Sequence, residues 1–197
     1  MRTFSQAGQE LWVREILDNK QNGFFVEVGA YDGVQLSNTF FLEKELNWNG
    51  ICIEANSEYF SKLETTRNSI NINKAVMDYK GFCKFEDMHT YKTTNPGPNT
   101  VECDTLHSIL LENNCPKDID YMSLDIEGHE LVALESLDFN MWNITLFTIE
   151  HNLYLGDATL KNSVYEFMVS KGYERTVENV FVPNHGPVED WYQKKTT

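Results

Sequence analysis

The stretch Phe24-Phe25-Val26-Glu27-Val28-Gly29-Ala30-Tyr31-Asp32-Gly33 decides the fold. Phe24 to Val28 is an apolar run of strand length, interrupted by one carboxylate, and reads as a short buried strand. Gly29, Ala30 and Gly33 then put small residues where a backbone must pass close to a ligand. Leu36, Phe40 and Leu46 follow at helical spacing, with Asn49-Gly50 ending that helix. Ile51-Cys52-Ile53 is a second apolar run and closes on Glu54. Strand, glycine loop, helix and strand in this order form a nucleotide-cofactor unit of an α/β domain.

The flanking chain continues the alternation. Upstream, residues 9–17 carry Trp12, Val13, Ile16 and Leu17 at helical spacing. Downstream, Asn56 caps a helix bearing Phe60 and Leu63, and residues 70–76 read as a third strand. Asp104 caps a helix with Leu106, Ile109 and Leu110, and residues 119–126 form a strand ending in carboxylates. Leu131, Leu134 and Leu137 mark a helix, residues 144–149 a strand, and Leu160, Val164, Phe167 and Met168 a helix stopped at Gly172. Residues 173–182 read as a closing pair of strands turning near Asn179. Residues 80–98, rich in turn formers and poor in periodicity, read as a variable insertion with a short strand at 82–85. The expectation is one α/β domain over residues 1–197, opened by a helical segment at 1–20. Its central sheet is mostly parallel, with helices on both faces and an antiparallel strand near the C-terminus.

Composition narrows the function. At 197 residues the chain supports one well-buried core. Its 30 acidic against 16 basic residues give a net charge of -14, which repels a phosphate backbone and argues against nucleic acid as partner. Cys52, Cys83, Cys103 and Cys115 form no C-x-x-C pair and read as buried free thiols. No apolar run reaches the roughly 18 residues of a membrane span, and the start lacks a signal-peptide core, so a cytoplasmic protein is expected.

In mostly parallel sheets, ligands gather at the carboxyl ends of strands. The loop at 29–33 lacks the G-x-G-x-x-G that receives a pyrophosphate, and it carries carboxylates that would repel one. A phosphate-free cofactor with a cationic sulfonium, S-adenosylmethionine, suits Glu27 and Asp32. Glu54 follows the loop at close to the roughly 20-residue spacing of a ribose-binding carboxylate. Turn glycines and a surface carboxylate are the plainer alternatives for each residue alone. Two further strand ends supply Asp125-Ile126-Glu127-Gly128-His129-Glu130 and Glu150-His151-Asn152. Here His129 or His151, with Asp125, would serve as general base for a substrate hydroxyl, or Asp125, Glu127 and Glu150 would hold Mg²⁺ or Mn²⁺. Helix capping by His129 and Glu130 is the competing explanation.

Taken together, the motifs resemble those of the FkbM-like methyltransferases. The likeness rests on Ser5-Gln6 with Gln9-Glu10, the 25–33 loop, Ser37-Asn38-Thr39, Gly50-Ile51-Cys52-Ile53-Glu54-Ala55-Asn56, the 119–130 block and Thr148-Ile149-Glu150-His151-Asn152. The resemblance implies a Rossmann-like class I methyltransferase fold and S-adenosylmethionine-dependent O-methylation, mostly of sugars and related natural products. It implies that Glu27, Gly29 and Asp32 line the methionine side of the cofactor and that Glu54 holds the ribose. Ala30, Tyr31, Asn38, Ala55 and Asp125 are expected in the same cofactor site, and Asp125, Glu127 and His129 would face the methyl group and the acceptor. Ser37 to Thr39 either close the site or cap the next helix. Residues 80–98 match no family motif and are the place expected to choose the acceptor, a glycan or another small hydroxyl compound. Two alternatives stay open: a catalytically inactive S-adenosylmethionine-binding module, and an NAD-dependent oxidoreductase, against which the missing glycine motif counts.

Overall fold

Strand β1 (Phe24–Val28) occupies the middle of a seven-stranded sheet because its residues suit burial on both faces. Val26 and Val28 point to one side, Phe25 and Glu27 to the other. The computed structural model describes residues 3–86, 89–93, 97 and 99–196. β1 pairs in parallel with β2 (Asn49–Ile53) and with β8 (Asp118–Leu124). β2 pairs in parallel with β3 (Ile70–Ile72), and β8 with β9 (Asn143–Glu150). β11 (Gly186–Lys194) inserts antiparallel between β9 and β10 (Tyr173–Val182), giving the order β10-β11-β9-β8-β1-β2-β3.

Two apolar layers cover this sheet. On one face Val26, Ile53, Met122 and Phe147 meet α4 (Leu106–Glu112), α5 (Glu130–Ser136) and α6 (Thr159–Ser170) through Leu106, Ile109, Leu134, Val164 and Met168. On the other, Phe25, Cys52 and Tyr121 meet α1 (Gln9–Ile16), α2 (Phe40–Leu46) and α3 (Ser57–Thr66) through Val13, Leu42, Leu46 and Leu63. Helices on both faces of a mostly parallel sheet are the arrangement the alternating pattern called for. A polar tie fastens α1 to the last strand, where Gln9 Nε2 donates to Glu189 Oε1 at 2.6 Å.

Several boundaries differ from the sequence expectations. Leu36 is half-exposed, sits at φ 60 and precedes α2 rather than joining it. Gly50 lies inside β2 instead of ending a helix, because Phe25 packs over it: a Cβ there would fall 2.3 Å from Phe25 Cε2. The stretch 70–76 divides into β3 and β4 (Ala75–Val76), which belong to different sheets. Thr105, not Asp104, caps α4, its hydroxyl accepting from Ser108 N at 3.1 Å. Residues 173–182 are one strand whose partner is 186–194, with Asn179 at φ 55 marking a bulge inside it. Asn56 caps α3 as expected, accepting from Glu58 N and Tyr59 N.

Residues 80–98 are more ordered than their composition suggested. β5 (Gly81–Glu86) and β6 (His89–Thr93) form a hairpin that joins β7 (Thr100–Asp104) and β4 in a four-stranded sheet. Ala75, Met77, Cys83, Val101 and Cys103 supply its own small core. Asn95, Pro96 and Pro98 of the expected turn lie outside the described residues. Cys52, Cys83 and Cys103 are buried thiols, while Cys115 is half-buried.

Candidate active site

A cavity of about 440 Å³ opens at the carboxyl ends of β1, β2 and β8, lined among others by Gly29, Tyr31, Asn38, Glu54, Asp125 and His129. The loop after β1 is held down by Gly29 N and Ala30 N, both donating to Ile53 O. Gly29 adopts φ 85, and a Cβ there would lie 1.8 Å from the Asp125 carbonyl oxygen, so no side chain fits between the ends of β1 and β8. Gly33, at φ 81, is confined less severely, by the side chains of Leu63, Thr66 and Arg67 at the α3 end.

Glu54 stands beside this loop with both oxygens pre-positioned. Oε2 accepts from Tyr31 N at 2.8 Å and Oε1 from Asn56 N at 2.7 Å. A carboxylate has about four acceptor directions, so two remain for hydroxyl donors from the cavity. Burial raises its pKa above the usual carboxylate value, against the lowering pull of those N–H groups. Tyr31 and Tyr59 lie ring against ring, centroids 4.0 Å apart, and with Ala55, Lys74, Ala75 and Val76 they form the other end of the cavity.

Glu27 lines the cavity, yet its oxygens are engaged within the protein. They accept from Ser37 Oγ at 3.0 Å, Asn38 N at 2.7 Å, Thr39 Oγ1 at 2.6 Å and Arg67 Nη1 at 3.1 Å. Arg67, 4 % exposed, also reaches Glu43 at 2.7 Å and the Gly33 carbonyl at 3.1 Å. Glu27 therefore anchors the loop more than it offers charge to a ligand. Asp32, expected to face the ligand, is not among the cavity-lining residues: its carboxylate accepts from Val34 N and Gln35 N and closes the turn. Ser37 takes the capping role, its hydroxyl accepting from Phe40 N at 3.0 Å while donating to Glu27. Asn38 is 6 % exposed; Nδ2 donates to Ser123 Oγ at 2.8 Å, leaving Oδ1 buried without a partner at the cavity wall.

The acidic strand ends meet at the far side. One carboxylate oxygen from each of Asp125, Glu127 and Glu150 lies within 4.8 Å of the others. Burial, together with the charge of Asp125, pushes Glu150 up to about 12, and burial raises Asp125 as well. Glu130 is fully buried and turns back to accept from Ile126 N at 2.8 Å and Gly128 N at 3.1 Å, which pins the loop carrying Glu127; burial raises it to about 7. His129 lines the cavity. His151 does not: it is 3 % exposed, with Nε2 3.3 Å from Asp190 Oδ1 and Nδ1 accepting from Leu153 N at 3.2 Å. Both ring nitrogens are committed to the fold, which removes His151 from the candidate bases.

A family model for the methyltransferase FkbM domain matches residues 27–175, more than half of the chain. The chain belongs to the FkbM methyltransferase family. No curated protein matches the sequence. An O-methyltransferase from Bacillus cereus in complex with S-adenosylhomocysteine superposes with a TM-score of 0.60 and 9 % identity, covering 95 % of this chain and 80 % of that one. Fibrillarin from Aeropyrum pernix with natively bound S-adenosyl-L-methionine gives 0.59 and 10 %, covering 95 % and 74 %. TrmK from M. capricolum, in complex with S-adenosylhomocysteine, gives 0.53 and 12 %, covering 94 % and 68 %. At such identities the likeness is one of fold, and that fold is the class I methyltransferase α/β sheet.

Several residues at or behind the cavity escaped the sequence reading, Arg67, Ser123, Tyr59 and Lys74 among them. Lys74 follows β3, and applying the strand-end rule there would have found it. Arg67 and Ser123 act through contacts 40 and 85 positions away in sequence, which no local pattern marks. Among the described residues no helix is long and apolar enough to cross a membrane.

Proposed function

We propose that this FkbM-family protein transfers a methyl group from S-adenosylmethionine to a hydroxyl oxygen of a sugar or similarly polar small acceptor. The observation that carries the reading is Glu54, a buried carboxylate held by two backbone N–H groups with two acceptor directions left facing the cavity beside Gly29. That is the donor complement of a ribose diol, and Tyr31, Tyr59 and Val76 offer apolar surface for the adenine. The buried, unpartnered Asn38 Oδ1 is suited to the cofactor's ammonium group. The cavity then leads the sulfonium methyl toward Asp125 and His129.

In this reading the acceptor oxygen attacks the methyl carbon in line. The C–S bond breaks with its electron pair left on sulfur, an O–CH₃ bond forms, and the hydroxyl proton passes to His129. Histidine suits that task near neutral pH. A hydroxyl acceptor fits an acidic site in a strongly acidic molecule better than nucleic acid does.

Calorimetric titration with S-adenosylmethionine, S-adenosylhomocysteine and NAD tests this reading. Binding of the first two and not NAD is expected, and Glu54→Ala should weaken S-adenosylhomocysteine by roughly 10- to 100-fold, the loss of one or two charge-assisted hydrogen bonds. NAD binding alone, or unchanged affinity in Glu54→Ala, would overturn it.

A further inference from the structure

We propose that Leu36 is the apolar cover of the cofactor's amino-acid arm, held over the cavity in a strained turn that the N-terminal motif Ser5 to Glu10 braces from outside. The assignment rests on the methyl-transfer reading above.

Backbone strain marks the position. Most of the described residues other than glycine that adopt a positive φ are Asn or Asp, whose short polar side chains tolerate the left-handed region. The exceptions, Tyr31, Leu36 and Glu127, all line the cavity. Strain gathered around one cavity points to groups held in place for a ligand. Leu36 is the aliphatic one, at φ 60, and its side chain can form no local hydrogen bond in compensation.

Exposure gives a second, independent sign. Leu36 is 51 % exposed. Among the large apolar side chains that the described residues leave exposed, it alone lines the cavity. A leucine kept in a costly conformation and left half in water contributes little to folding, and its apolar surface becomes useful when a ligand covers it.

The turn is held from both sides. Gln35 N donates to Asp32 Oδ1 at 2.8 Å, Ser37 N to Val34 O at 3.4 Å and Asn38 N to Glu27 Oε1 at 2.7 Å. On its outer side Leu36 forms a parallel β-bridge with Ser5. The Ser5 hydroxyl donates to Glu10 Oε2 and accepts from Gly8 N at 3.1 Å, while Glu10 Oε1 accepts from Phe4 N at 3.0 Å. Phe4 packs on Phe40 at the start of α2, ring centroids 4.7 Å apart. Ser5-Gln6 and Gln9-Glu10 are not among the cavity-lining residues, so this part of the motif acts on the site through Leu36.

The neighbours decide which part of the ligand Leu36 meets. Two residues on stands Asn38, whose unpartnered Oδ1 is assigned the ammonium group, while Tyr31, Tyr59 and Val76 take the adenine at the other end. Beside the ammonium, S-adenosylmethionine carries a short methylene chain, and a leucine side chain is its apolar complement.

Calorimetric titration of wild type, Leu36→Ala and Leu36→Gly with two nucleosides tests the assignment. One is S-adenosylhomocysteine; the other is methylthioadenosine, which keeps the nucleoside and the sulfur but lacks the amino-acid arm. Both variants should bind S-adenosylhomocysteine about five- to tenfold more weakly, the loss of roughly half of a leucine's burial, and methylthioadenosine as tightly as wild type does. Thermal unfolding of the same samples reads the strain. Glycine adopts a positive φ freely, so Leu36→Gly should melt roughly 2–4 °C above Leu36→Ala while binding no better. Unchanged S-adenosylhomocysteine affinity in Leu36→Ala, equal losses for the two nucleosides, or Leu36→Gly melting below Leu36→Ala overturns the proposal. A wild-type protein that binds neither nucleoside sinks the methyl-transfer reading itself, whereas wild-type binding that the variants share in full sinks the role of Leu36 alone.

Discussion

Arg67 is the residue on which the loop after β1 depends, although it is not among the residues lining the cavity. Its guanidinium joins Glu27, Glu43 and the Gly33 carbonyl, and it lies 5.2 Å from the Phe25 ring centroid and 5.8 Å from that of Phe40. Arg67→Met removes the cation and strands two buried carboxylates, and should cost about 3–5 kcal/mol in urea unfolding. Glu43 gives this network a pH signature. Burial alone would raise its pKa, but Arg67, the Asn68 N–H and Lys44 outweigh burial and hold it below the ordinary carboxylate value. A carboxylate depressed in the folded state adds stability that is present above its unfolded pKa and lost as pH falls through the folded value. The gap between wild type and Arg67→Met should therefore be full at pH 7 and shrink below about pH 4, and a gap that is constant with pH would rule out the ion pair as its source. At this scale, position after a strand was the legible signal for Gly29, Glu54, Asp125 and His129, which all line the cavity. It was silent on Arg67, and it misplaced Asp32 and His151, because a polar residue near a site has the same one-letter code whether it faces the ligand or braces the loop.

Elements were legible in proportion to their burial. β1, β2, β8 and β9 are apolar runs with near-complete burial; β1 was found with its boundaries and the others to within a residue or two. Of the small sheet only the short strand at 82–85 was anticipated, inside β5; the hairpin and its pairing with β7 were not, because the inward positions are few, Cys83, Val101 and Cys103 among them, and turn formers surround them. Gly50 shows how a turn signal misleads. It is glycine for lack of space rather than for a turn, since Phe25 fills the volume a side chain would need. Gly50→Val should destabilise the protein by about 1–3 kcal/mol through overpacking, and Phe25→Leu should recover part of the loss in the double variant. Additive losses in a thermal unfolding cycle would mean the two positions do not press on each other.

For the whole molecule, the net charge of -14 sets the background against which every local pair operates. Like charges spread over one small body repel, and salt shortens the range of that repulsion from about 30 Å at 0.01 M to about 10 Å at 0.1 M. The melting temperature should accordingly rise as sodium chloride increases from 10 to 200 mM in differential scanning calorimetry. A fall would show that exposed ion pairs such as Lys20 with Asp120 outweigh the general repulsion.

The late position of β11 between β9 and β10 has a consequence for biosynthesis. Asn152 N and His151 N both donate to Val188 O, so the turn after β9 gains its final shape only from residues near 188. A nascent chain that has emerged only as far as β10 exposes the whole edge of β9, an open template for mispairing with other chains. The acidic end of the site is thus assembled last, and during synthesis its quality depends on how long the ribosome and its chaperones shield that edge.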